Sequence, residues 1–162
     1  LISISNKINR LIVKIKEADS GIDVALTKRY DVLTKMIDVV KGYAKHEEET
    51  IFKTIEMRKG MSLSEKETAE KDMNESFKQI QVVAEAYPEL KSSENYNTLQ
   101  LSIADTEEHL QAARRMYNSN VSSLNQLIVT FPSSVIAGMK NVKEHSFFEA
   151  EEEKKQDVKI DL

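Results

Sequence analysis

The chain has 162 residues and no cysteine, a size that suits one domain with an ordinary apolar core and a composition that excludes disulfide frameworks, zinc ribbons, iron–sulfur clusters and thiol catalysis. Four glycines, two prolines and 31% charged residues exclude a turn-rich all-β domain and fit long helices with solvated faces. The net charge of −4 resides at the C-terminal end: residues 1–143 carry 20 Lys/Arg against 20 Asp/Glu, and residues 144–162 carry 3 against 7. A neutral body is a poor match for a phosphate backbone, so no nucleic-acid partner is expected.

The first sixteen residues hold Lys7, Arg10, Lys14 and Lys16 and no acid, a local basic flank. From Ile8 the apolar positions advance by three and four through Leu11, Ile15, Ala18, Ile22, Leu26, Tyr30, Leu33, Ile37, Val40 and Ala44, with a gap at Glu47 and resumption at Ile51 and Ile55. That period is helical. Thr34 is placed to cap a second helix, so a break is expected near residues 31–35. A single kinked helix is the alternative, giving three long helices instead of four. Arg58-Lys59-Gly60 reads as the stop, with cations for the negative helix end and a glycine free to turn left-handed.

Two overlapping capping boxes, Ser62 with Glu65 and Ser64 with Glu67, open the next helix. Its stripe of Ala69, Met73, Phe77, Ile80, Val83 and Ala84 runs to Tyr87, and Pro88 ends it. Ser92 or Ser93 then caps a long helix striped by Tyr96, Leu99, Ile103, Leu110, Tyr117, Val121, Leu124, Ile128 and Phe131, which Pro132 closes. A short extra turn is expected over 133–139. Phe147-Phe148 reads as a hydrophobic latch ahead of a mobile acidic end. The fold expected is an all-α, elongated, antiparallel up-and-down bundle of four helices, one domain over 1–143 followed by an acidic tail over 144–162. No run approaches the length of about 18 apolar residues that a membrane span needs, the longest being Leu11-Ile12-Val13 and Leu127-Ile128-Val129.

Di-metal bundles place a histidine three residues after a glutamate so that both reach one metal. Tyr43, Thr106 and Val142 stand three before His46, His109 and His145, so no such pair exists. His46-Glu47-Glu48-Glu49-Thr50 begins like a zinc-protease motif but has Thr50 at the second ligand position. Asp105 and His109, four apart, are spaced to share a metal, yet a surface ion pair accounts for them as well. The serines cluster at caps and turns, and no nucleophile elbow or phosphate-cradling glycine loop occurs. Neither a catalytic site, a metal nor a cofactor is expected. The informative polar residues lie beside the stripes: Arg29 and Asp31 around Tyr30, Glu85 near Tyr87, Asp105, and Arg114 with Tyr117 and Asn118. At seam positions such groups fix helix register; on a solvated face they pair weakly.

These segments carry a resemblance. Arg29-Tyr30-Asp31 through Val39-Val40-Lys41-Gly42-Tyr43-Ala44-Lys45-His46-Glu47, Ala84-Glu85-Ala86-Tyr87-Pro88-Glu89-Leu90-Lys91, Ala104-Asp105-Thr106-Glu107, Ala112-Ala113-Arg114-Arg115-Met116-Tyr117-Asn118, Phe131-Pro132-Ser133 and Phe147-Phe148-Glu149 resemble the LemA family from about Ile8 onward. Asp19 and Thr34 depart from it, standing where a tryptophan and a proline are usual. The resemblance implies a helical bundle on the cytoplasmic side of a bacterial membrane, preceded by one N-terminal transmembrane helix, with no established enzymatic activity and no assigned protein partner. Relatives in magnetosome-forming bacteria are associated with building that organelle's membrane. The basic flank agrees with the Lys/Arg excess found on the cytoplasmic side of a span. The expected function is that of an interaction or scaffold protein, with self-association possible. A metal-binding or enzymatic bundle is the alternative.

Overall fold

In the computed structural model, which describes residues 1–44, 55, 57 and 60–149, all regular structure is helical. The elements are α1 (Ile2–Tyr43), α2 (Leu63–Ala86), α3 (Pro88–Lys91), α4 (Glu94–Val129) and α5 (Ser133–Met139). α1 has 42 residues and α4 has 36, so they are roughly 63 and 54 Å long at 1.5 Å per residue. Helices of that length hold in water only where a side is buried against partners.

The expected break near residues 31–35 does not occur. α1 passes through Thr34, whose hydroxyl donates to the Tyr30 carbonyl at 3.0 Å, a bond to the preceding turn that lets threonine sit inside a helix. Leu33, Met36 and Val40 continue the buried stripe on either side. α1 instead stops at Tyr43, with Lys41 in its last turn. Lys45 to Thr50 contains no apolar residue that would extend the stripe. The gap at Glu47, Ile51, Arg58 and Lys59, and the acidic end beyond residue 149, lie outside the described residues. Gly60 does take the left-handed conformation expected of it, with φ of 76°.

Of the two possible capping boxes, the first forms. Ser62 accepts from the Glu65 amide at 3.2 Å and the Glu65 carboxylate accepts from the Ser62 amide. Pro88 ends α2 and opens α3, whose Leu90 is fully buried. Ser93 caps α4 through the Tyr96 amide.

α4 lies antiparallel to α1. Ile8, Leu11, Ile15 and Ile22 share a core with Tyr117, Val121 and Leu124, whereas Leu33, Met36 and Val40 share one with Tyr96. α2 points the same way as α1, because Lys66 meets Asp19 and Asp23 while Asn74 meets Arg29. Ala44 packs in one cluster and Leu63 against the other. The two apolar clusters are separate. Arg29 lies where α1 passes from one cluster to the other, and Lys66, Glu70, Ser76, Thr106 and Arg114 are further buried polar side chains along the bundle.

α5 packs Ile136 and Ala137 against the N-terminal half of α1, and the Lys140 ammonium donates to Asn9 at 3.1 Å. Residues 141–149 then run back along α4 without helical structure. Phe131, placed on the α4 stripe by its spacing, is instead 79% exposed at the α4–α5 turn, since Val129 is the last residue of the helix.

Candidate functional site: a buried charge layer under a C-terminal strap

Two guanidinium groups organise the polar layer. Arg114 of α4, 2% exposed, donates from Nη2 to both carboxylate oxygens of Glu70 on α2 and from Nη1 to Gln111 at 2.8 Å. Arg29 of α1, 4% exposed, contacts Glu107 of α4 at 2.8 Å and donates to Asn74 of α2 at 2.5 Å. The Glu107 contact is a charge contact and not a directed hydrogen bond, since Oε2 has no hydrogen-bond donor aligned on it. Together the two arginines tie α1, α2 and α4 at one level.

The burial of Arg29, Glu70 and Arg114 is costly unless each is paired, and removal of one member leaves its partner uncompensated. Burial is the main influence on Arg29 and lowers its affinity for the proton; the charges of Glu107 and Glu70 oppose this, and Arg114 adds to it. Aromatic faces cover both guanidinium groups: Phe77 lies 5.1 Å from Arg29 and Phe148 lies 4.9 Å from Arg114. These contacts supply the cation–π attraction that a desolvated cation retains. Arg29 Nε and Nη1 and Arg114 Nε are nevertheless buried without a hydrogen-bond acceptor among the described residues.

A third buried cation lies one turn of α2 before Glu70. Lys66, its side chain 5% exposed, bridges Asp19 at 2.7 Å and Asp23 at 2.8 Å. Burial by itself would lower the Lys66 ammonium; the hydrogen bonds and charges of the two aspartates outweigh it, and the net shift is upward. Tyr117 is pushed up, first by burial and then by the charge of Asp19.

Phe148 belongs to a strap that α4 holds by two asparagines seven residues apart. The Asn118 amide accepts from the Phe148 N–H at 2.8 Å and donates to its carbonyl at 2.9 Å. Asn125 does the same for His145, both bonds 2.9 Å. Each carboxamide thus stands in for one edge of a β-ladder, which lets a helix bind an extended chain. Phe148 is fully buried, over Arg114. Phe147 points outward, 43% exposed, so the aromatic pair latches by its second member.

The polar residues singled out from the sequence therefore separate. Arg29, Arg114 and Asn118 join the network and the strap, and Tyr117 is buried beside them. Asp31 and Asp105 are exposed, facing an open groove between α1 and α4 that is also lined by Lys28, Lys35 and Leu101. Glu85 is exposed and pairs with Lys91 at 2.8 Å. His109 and Asp105 stand 3.8 Å apart on the surface, an ion pair when the imidazole is charged. Among the described residues no group of three metal-ligating side chains gathers there or elsewhere; His46 lies outside them. Lys7, Arg10, Lys14 and Lys16 are all exposed on the N-terminal half of α1.

Sequence reasoning missed Glu70, Lys66, Glu107 and Asn125. A signal exists for the α2 pair: Lys66, Glu70, Met73, Phe77, Ile80 and Ala84 keep a four-three spacing, so both charges occupy the buried stripe of their helix.

The fold and the site define a helical-bundle protein whose buried charges lock three helices in register. The LemA family model matches residues 18–162, and over 150 residues the chain is 30% identical to "Protein LemA" of Metamycoplasma hominis, covering 90% of this chain and 68% of that protein. The chain belongs to the LemA family.

Proposed function

We propose that this chain is the helical bundle of a membrane-tethered scaffold, held at the cytoplasmic face of the bacterial membrane and acting through its outer helix faces on other proteins. One observation supports this most directly. The charged residues of the seam are turned inward and matched to one another across α1, α2 and α4, so they hold the shape of the bundle. What the bundle offers to partners is its exterior: the groove of Lys28, Asp31, Lys35 and Asp105, of mixed charge, beside Leu101, which is 75% exposed. Rigid faces combining an apolar centre with a charged rim are the anatomy of protein contact sites. No described helix is long and apolar enough to cross a membrane. The exposed basic flank of Lys7, Arg10, Lys14 and Lys16 suits a position against anionic headgroups.

The test is photo-crosslinking in cells from position 101 of the intact, full-length protein. Covalent adducts to one or a few proteins, or to a second copy, are expected. Recovery of no partner and no self-contact would overturn the scaffold reading.

A further inference from the structure

The N-terminal half of α1, the C-terminal half of α4 and α5 form one end of the bundle, joined through Ile8, Leu11, Val121, Leu124 and Ile136. Residues 1–16 and 109–143 contain no aspartate or glutamate at all, and Glu144 is the first acid after Glu108. Lys7, Arg10 and Lys14 are exposed at spacings of three and four, which sets them along one face of α1. Lys140, in contact with Asn9 of α1, and Lys143 add exposed cations from the other side of the tip. A chain with a net charge of −4 therefore has one end where α1 up to Lys16, the C-terminal half of α4 and α5 carry cations and no acid, Glu17 and Glu144 being the first acids beyond it in the chain.

The same end displays large apolar side chains that the core does not take. Phe131 is 79% exposed and Met139 80%; Val129 and Val135 are also exposed. Val135 and Met139 are four apart in α5, on the face opposite buried Ile136 and Ala137. Apolar side chains at a tip ringed by cations match a lipid–water interface, which takes the former among acyl chains and attracts the latter to anionic headgroups. We propose that this tip is a lipid-docking surface for anionic bilayers, with Phe131 and Met139 as the inserting residues and Lys7, Arg10, Lys14 and Lys140 as the headgroup contacts. This deepens the membrane location proposed above and rests on it for its setting in the cell.

The experiment uses the 162-residue chain and vesicles of phosphatidylcholine, with or without one quarter phosphatidylglycerol. The chain contains no tryptophan, so Phe131→Trp is a single reporter. Its emission is expected to shift to the blue with anionic vesicles and to stay unchanged with neutral ones. Each cation near such a surface contributes about fivefold in partitioning, so Lys7→Gln, Arg10→Gln and Lys14→Gln combined should weaken binding on the order of a hundredfold. Phe131→Ser with Met139→Ser should weaken it by about tenfold or more, while Val24→Ser with Val82→Ser, exposed sites on α1 and α2 away from the tip, should leave it unchanged. Circular dichroism of each variant confirms that the bundle is intact. An unshifted emission from the Phe131→Trp reporter, equal loss from the control pair, or a concentration-dependent dimer that shields position 131 without any vesicle binding would each overturn the proposal. Failure here, with crosslinks to proteins still recovered at position 101, removes the lipid surface and leaves the scaffold standing; the converse result separates the two the other way.

Discussion

Replacing Glu70 by glutamine removes one charge from the centre of the bundle and changes almost no volume. Arg114, 2% exposed with Nη2 on both Glu70 oxygens, then keeps Gln111 and the Phe148 face but loses its counter-charge. Arg29 loses a favourable charge as well, because Glu70 also supports it. Breaking one side of a buried pair costs roughly 3–5 kcal/mol. For a domain of this size that is a fall in melting temperature of roughly 6–20 °C. Apolar groups of similar volume in place of both charges behave differently: Glu70→Leu with Arg114→Met removes the desolvation penalty together with the attraction, and is expected to lie within about 1–2 kcal/mol of the native chain. Urea denaturation of Glu70→Leu, Arg114→Met and the double variant gives the coupling energy directly. A single Glu70→Gln variant as stable as the native chain, or a double variant no better than the single one, would refute the claim that the pair is a buried, mutually dependent unit.

The strap gives a local prediction: Phe148→Ala or Asn118→Ala should release residues 141–149, seen as rapid amide exchange there, at a cost of about 3 kcal/mol or less for Phe148 because the strap can undock without unfolding the helices; unchanged protection of the Phe148 amide counts against it. Gly21 faces Ala113 across the α1–α4 contact, where an added Cβ would stand at 3.7 Å, ordinary contact distance, so Gly21→Ala should stabilise by about 0.5–1 kcal/mol through helix propensity, and a destabilised variant would show the helices to be closer than described. Lys66 and Tyr117 both hold their protons more tightly folded than unfolded, so their contribution is complete below about pH 10 and is lost as the pH rises through the folded values; Asp19→Asn with Asp23→Asn should flatten the loss in a pH-dependent denaturation series, and an unaltered alkaline slope would contradict the assignment to Lys66. Ser62→Ala removes the α2 cap and should cost about 1 kcal/mol, measured by thermal melting, with no change expected if Glu65 alone closes that helix end.

Much of the architecture is legible in local patterns. Three-and-four spacing marks α1, α2 and α4, Ser62 and Ser93 mark two helix starts, and Pro88 and Pro132 mark two ends, since each acts on backbone groups within one turn of itself. Thr34 shows the limit of such signals. Its hydroxyl caps a helix or bonds to the preceding turn, and which one wins depends on whether Leu33, Met36 and Val40 find a partner surface.

The same boundary divides the candidate site. Sequence alone singles out Arg29, Arg114 and Asn118 as polar groups at a seam and Phe147-Phe148 as a latch, because each interrupts or follows an apolar stripe. It does not pair Arg114 with Glu70, 44 residues away, or bring Phe148 to Asn118 across 30. Nor does it expose Phe131 and set the acid-free stretches 1–16 and 109–143 side by side. Helix periodicity is a property of neighbours in the chain; the matching of buried charges and the gathering of cations at one tip depend on which helix faces meet, and packing decides that.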